Sequence, residues 1–128
     1  MSEIIGIGTD LCSIARIERA MEKEHFYMKV FLPGERAYLE RAGRGKAQSA
    51  AAMFAAKEAV AKALGTGFAH GVAAWLIEVT HDEYGAPGVV LHDTAARRLA
   101  DLGGAKILVS LSHEGDMAQA FAVAVGKA

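Results

Sequence analysis

Disulfide chemistry is excluded at the outset, because a single cysteine, Cys12, stands among 128 residues and no internal bridge can form. That residue reads as a small buried hydrophobe. Net charge is nearly missing as well. The 14 basic and 15 acidic residues leave -1, so no global field draws in nucleic acid or an anionic membrane, and any anion must be held locally. The opening residues MSEIIGIG lack the basic start and long apolar run of a secretory signal, which fits a cytoplasmic protein. No apolar stretch reaches membrane-spanning length, since the alanine-rich run Ala47 to Leu64 is interrupted by Lys57, Glu58 and Lys62. Prolines number only 2, and no repeat, linker or low-complexity segment marks a boundary. With 52% of residues apolar, the chain supports one core, and a single domain over residues 1–128 is expected.

The first apolar segment, Ile4 to Leu11, is short, β-branched and alternating, which predicts a strand with Ile5, Ile7, Thr9 and Leu11 on one face and Gly6, Gly8 and Asp10 on the other. Ser13 offers an N-cap to a helix in which Ile14, Ile17 and Met21 recur at helical spacing. Pro33-Gly34 reads as a break, Glu35 to Ala42 as a short helix ended by Gly43, and Arg44-Gly45-Lys46 as a basic, flexible connection. Alanine density without Gly or Pro predicts a long helix over 47–64, with Gly65 as its C′ residue. Alternation then predicts a hairpin from Trp75–Thr80 and Val89–Leu91 around the turn at Tyr84-Gly85-Ala86-Pro87-Gly88. A helix capped by Asp93 and two closing strands, 107–112 and 118–125, complete the order βαααββαββ. This is an α+β domain with a long helix packed on a mainly antiparallel sheet.

Glu58 and Lys62 are four apart on the long helix and share a face; a surface ion pair is the ordinary explanation of that spacing. Packing of so alanine-rich a helix on several sides argues for more, because a buried charge needs a partner or a metal. Asp10 at a strand's end ordinarily closes a turn, but Gly6 and Gly8 clear the face on which it points, leaving room for a ligand or for close backbone packing. Gly6-Ile7-Gly8 lacks the third glycine and the turn into a helix of a dinucleotide fingerprint. The 5 histidines show no zinc spacing. Ser110-Leu111-Ser112-His113 lacks a nucleophile elbow, though Ser110 and Ser112 share a strand face that ends in a polar turn.

Three separated blocks, Gly6-Ile7-Gly8-Thr9-Asp10, Phe54-Ala55-Ala56-Lys57-Glu58-Ala59 continuing through Lys62 to Gly67, and Ser110-Leu111-Ser112-His113, resemble in order and spacing the signatures of the holo-acyl-carrier-protein synthase family. The resemblance implies transfer of 4′-phosphopantetheine from coenzyme A to a serine of apo acyl carrier protein, with Mg²⁺ held by Asp10 and Glu58. It further implies that Lys62 meets developing negative charge and that Glu58 is the base, with Asp10 or a metal-activated water open for the same role. Lys62, Gly65, Gly85, Pro87, Ser112 and His113 would contact the coenzyme, His113 near the chemistry. Arg16 and Arg19 would receive the acidic carrier, and the protein would be a homotrimer with sites between protomers.

One departure stands out: Met53 occupies a position commonly arginine in that family, and Arg44 or Lys46 are the upstream cations able to compensate. Glu114, often aspartate, is a milder change. Two other classes compete with the transferase: a non-catalytic module that binds a nucleotide or carrier protein, and a metal-dependent hydrolase of the coenzyme pyrophosphate.

Overall fold

In the computed structural model, which describes residues 2–128, the alanine-rich helix lies across a three-stranded antiparallel sheet. The elements are β1 (Ile4–Ser13), α1 (Ile14–Met21), α2 (Glu24–Val30), α3 (Pro33–Arg41), α4 (Lys46–Ala63), β2 (Ile77–His81), β3 (Pro87–Leu91), α5 (Asp93–Asp101), β4 (Gly104–Glu114) and β5 (Met117–Gly126). The main sheet has the order β1-β5-β4, and β2 and β3 form a separate hairpin. The expected α+β architecture is therefore present.

Small side chains explain how closely α4 meets the sheet. On β5, Ala118, Ala120, Ala122 and Ala124 are all fully buried, and period-2 alternation places them in one row beneath the helix. On β1, a Cβ added to Gly6 would lie 2.0 Å from the carbonyl oxygen of Ala63, and one added to Gly8 would lie 2.0 Å from that of Ala59. Both glycines are thus required by backbone approach, and the face they share with Asp10 is the one turned to α4, as alternation predicts. The opposite face carries Ile7, Leu11, Leu108 and Phe121, all exposed. Register puts Ile7, Val123 and Leu108 in one cross-strand row and Thr9, Phe121 and Ser110 in the next.

Four local expectations are corrected. The helix α2 had no sequence signal: its N-cap, Lys23, makes no side-chain cap bond, and it is held by packing of Phe26 against Phe54, with ring centroids 6.1 Å apart, more than by propensity. Pro33 does not break the chain but opens α3 at N1, where its missing N–H costs nothing. Trp75 belongs to a 3-10 turn, Ala74–Leu76, and the strand starts only at Ile77. Asp93 is the first residue of α5, with φ 48°, and His92 is the N-cap without a side-chain bond. Ser13, in contrast, caps α1 as expected, its Oγ accepting the Arg16 N–H at 3.2 Å. Gly65 ends α4 with φ 81°, the left-handed residue that a helix end favours.

A buried ion pair ties these layers together. The Nζ of Lys57 donates to Glu35 Oε1 (2.8 Å), to the Ala74 carbonyl (3.0 Å) and to the Ile77 carbonyl (2.6 Å), while Glu35 Oε2 accepts the Val79 N–H at 2.7 Å. All three ammonium protons are used, which is what a fully buried cation requires. Burial pushes the Lys57 ammonium down from its usual range, and Glu35 opposes that shift. The pair fixes α3 and the β2–β3 hairpin to α4 beside Glu58.

Candidate active site

Asp10 is placed by the inner face of β1 and Glu58 by the middle of α4. Where Gly8 lets the helix settle against the strand, the two carboxylates face one another. Glu58 is half-buried, and its carboxyl is raised above the ordinary range by burial first, then by the charge of Asp10 and a hydrogen bond with it; Lys62 and Arg16 pull it back. Two carboxylates driven together at a partly desolvated position favour a shared proton or a shared cation.

Lys62 does not form the surface pair with Glu58 that i,i+4 spacing suggests. Its Nζ crosses to β1, donating to the Thr9 carbonyl at 3.0 Å and to Asp10 Oδ1 at 3.2 Å. An acidic pair with one adjoining cation results, the arrangement needed to hold a divalent cation and a phosphate together. Among the described residues no group of three or more His, Cys, Asp or Glu forms a metal cage. The donor set nonetheless fits Mg²⁺, which takes one or two carboxylates and fills its octahedron with phosphate oxygens and water.

Arg16 and Arg19 lie on α1, which follows directly from β1. Arg16 reaches the carboxylates electrostatically, lowering both Glu58 and Cys12. The thiol of Cys12 is buried and free, with its pKa raised chiefly by burial.

The coenzyme-side residues fall elsewhere. His113 pairs with Ala118, and Ala118 with Cys12, so β5 stands between His113 and the carboxylates, two interstrand spacings or about 10 Å across the sheet. His113 and Ser112 line a cavity of about 110 Å³ with Ser49, Ala52, Met53, His81 and Leu111. Ser112 Oγ also donates to Gln119 Oε1 at 3.1 Å, and Gln119 Nε2 to Thr9 Oγ1 at 3.3 Å, linking three strands on the outer face. Gly85, with φ 83°, sits in the hairpin turn ordered by Asp82, whose Oδ1 accepts the Tyr84 N–H at 2.8 Å and the Ala86 N–H at 2.9 Å. Pro87 pairs with His81. Gly65 borders a different cavity, of about 460 Å³, walled by Thr66, His70 and the α5 residues Thr94, Arg97, Arg98 and Asp101. One copy of the chain thus brings Asp10, Glu58 and Lys62 together but not His113, Ser112, Gly65 or the hairpin turn.

Of the cations upstream of Met53, Lys46 is already engaged, with Glu40 at 2.7 Å and over the Tyr27 ring at 4.9 Å. Sequence reasoning missed Lys57, Glu35, Asp82 and His81. The only available signal for Lys57 was a lysine inside an otherwise apolar helical run.

The profile of the 4′-phosphopantetheinyl transferase superfamily matches residues 6–124. A holo-acyl-carrier-protein synthase of Desulforudis audaxviator is 49% identical over 125 residues, covering 96% of this chain and 94% of that protein. The acyl carrier protein synthase of Plasmodium yoelii with ADP bound superposes with a TM-score of 0.87 at 36% identity, covering 100% of this chain and 99% of that one. A holo-acyl-carrier-protein synthase from Bacillus anthracis, in complex with CoA (3′,5′-ADP), gives 0.80 at 30% identity over 97% of this chain and 98% of that one.

Proposed function

The chain belongs to the 4′-phosphopantetheinyl transferase superfamily, and from that premise we propose how its residues carry out the holo-acyl-carrier-protein synthase reaction of its relatives. The 4′-phosphopantetheine group passes from coenzyme A to a serine hydroxyl of apo acyl carrier protein, giving the holo carrier used in fatty acid biosynthesis. The serine oxygen bonds to the phosphorus that carries pantetheine, the phosphoanhydride bond breaks, and adenosine 3′,5′-bisphosphate leaves. The observation that carries the site assignment is the facing pair Asp10 and Glu58 with Lys62 held 3.2 Å from Asp10.

In this reading Asp10 and Glu58 hold Mg²⁺, which when bound supplies charge neutralisation at the pyrophosphate. Lys62, already beside Asp10 on β1, offsets charge developing on the leaving group. Glu58 accepts the serine proton, with Asp10 the rival for that role. Gly85, Pro87, Ser112 and His113 receive the coenzyme, with Gly65 at the helix end, and Arg16 and Arg19 receive the acidic carrier.

A homotrimer is part of the same reading. The uncovered outer face with Ile7, Leu11, Leu108 and Phe121 exposed is the kind of apolar surface that a partner covers. A second copy would also supply His113 to the carboxylates of the first, closing the separation imposed by β5. The residues form one domain in this proposal, working in the cytoplasm, where a free thiol such as Cys12 is stable.

The test is incubation with coenzyme A, Mg²⁺ and apo carrier protein, followed by intact-mass measurement of the carrier. A phosphopantetheine-sized gain that disappears in Glu58→Gln supports the assignment. Release of phosphopantetheine without a carrier would instead indicate a hydrolase, and coenzyme binding without turnover a binding module.

A further inference from the structure

Hydroxyl and imidazole residues, and no carboxylate, line the cavity beside α4. Its walls are Ser49, Ala52 and Met53 of α4, His81 of β2, and Leu111, Ser112 and His113 of β4. The Ser49 hydroxyl and two imidazoles stand around an apolar floor with no carboxylate, a donor set that suits an anion, while the Ser112 hydroxyl is turned to Gln119 on the outer face. The floor is Met53, 1% exposed, so no guanidinium is available there.

The imidazole of His81 is held in place rather than free to rotate away. Its ring stacks on Tyr38 of α3 with centroids 3.8 Å apart and planes 1° apart. In the hairpin ladder His81 is the partner of Pro87, so it lies between the Gly85 turn and the His113 cavity, two groups assigned above to the coenzyme but otherwise unconnected. Ring stacking fixes the plane and leaves the nitrogen-bearing edge for a ligand.

Resting on the coenzyme reading above, we propose that His81, across the cavity from His113, is a further coenzyme-binding residue of this chain, and that it makes recognition of a coenzyme phosphate a proton-linked event. A phosphate dianion against the His81 imidazole stabilises its imidazolium form, so binding takes up a proton. Burial holds the His81 imidazole below its ordinary value, with only Asp82 working in the other direction. The groups around it are Tyr38 and Arg41 on α3, Ser49 on α4, His113 on β4, and Glu78 and Asp82 along its own strand and turn. Affinity for the coenzyme is therefore greatest below the free His81 value, which burial holds under the ordinary 6.5, and falls as pH rises through the higher value of the phosphate-bound imidazole. An arginine at the floor would show no such fall.

Calorimetric titration of the full chain with coenzyme A at several pH values, in buffers of different ionisation enthalpy, counts the protons taken up. Expected for the wild-type chain are net proton uptake and a loss of affinity of about tenfold across that range, the factor given by one unit of imidazole pKa shift. His81→Phe keeps the ring on Tyr38 and removes both nitrogens; it should weaken coenzyme A about tenfold near pH 6.5 and flatten the pH dependence. His81→Gln keeps a donor without titrating, and should bind more tightly than His81→Phe while also losing pH dependence, which keeps the test informative if the phenylalanine variant fails to fold. Dephospho-coenzyme A distinguishes the ribose phosphate from the pyrophosphate: a penalty confined to coenzyme A assigns the former, one shared by both ligands the latter, and either upholds the contact. Equal affinity and equal proton uptake in wild type and both variants would overturn the role of His81 while leaving the transferase reading intact. No coenzyme binding by the wild-type chain would overturn both.

Discussion

Lys62 Nζ lies 3.2 Å from Asp10 Oδ1 and 3.0 Å from the Thr9 carbonyl, so the cation one turn beyond Glu58 is spent across the helix–strand junction. The contact is half-exposed on the Lys62 side, with 52% of that side chain accessible, and contributes little to folding. Lys62→Met should therefore leave the thermal midpoint close to wild type while cutting transfer by roughly 10² to 10³, the scale of one lost charge stabiliser. Intact-mass kinetics of the carrier and a thermal melt together check this; wild-type turnover would remove Lys62 from the mechanism.

Glu58→Gln separates catalysis from stability in the opposite way. Burial and the neighbouring Asp10 both disfavour the ionised Glu58, so an isosteric neutral amide relieves a strain that the fold otherwise carries. The expected result is a thermal midpoint equal to or above wild type with transfer reduced by roughly 10² to 10⁴. A strongly lowered midpoint would show that the carboxylate is structural.

Much of this junction was legible in the sequence, and particular residues show why. Alternation along Ile4 to Leu11 placed Gly6, Gly8 and Asp10 on one face, and the structure uses that face both for close packing and for the carboxylate, since the glycines admit α4 and α4 brings Glu58. The identity of Lys62's partner was not legible, because i,i+4 spacing specifies a neighbour on the helix and says nothing of a strand more than fifty residues away. Lys57 and Glu35 escaped for the same reason: their partners are backbone groups of Ala74, Ile77 and Val79, brought together only by tertiary structure. The helix α2 lacked a cap and was too short for periodicity to announce it.

Gly8→Ala tests whether backbone approach sets the site. The added Cβ would meet Ala59 O at 2.0 Å, Ala59 C at 2.9 Å and Ala63 N at 2.9 Å, all helix backbone that cannot turn aside. The strand and α4 must then separate, at a cost of about 3 kcal/mol, the upper end for overpacking. The urea midpoint should fall, and transfer should fall with it because Asp10 and Glu58 no longer face each other. A neutral effect on both would show that α4 shifts freely.

Breaking the buried pair from one side is more damaging than removing both charges. Lys57→Met leaves the Glu35 carboxylate fully buried without its cation, with an expected loss of about 3 to 5 kcal/mol. Adding Glu35→Gln removes the stranded charge while an amide oxygen can still accept the Val79 or Leu32 N–H, so the double variant should be more stable than Lys57→Met alone. Urea unfolding of the two variants decides it; additive losses would mean that the carboxylate is already neutral in the fold.

Alkaline pH provides a test at the other end of α4. Tyr27 donates its phenol hydrogen to Glu40 Oε2 at 2.6 Å, and burial, followed by that bond and the Glu40 charge, pushes the phenol up from 10.0 to about 12. The folded value lies above the unfolded one, so the neutral phenol favours the fold. Its contribution is complete below about pH 10 and is lost as pH rises through about 12. Unfolding in urea across that interval should show wild-type stability falling more steeply than that of Tyr27→Phe, which has no proton to lose. Lysines titrate in the same range but do so equally in both proteins, so the difference between the two slopes isolates Tyr27. Parallel slopes would mean that the phenol ionises as freely in the fold as in the unfolded chain.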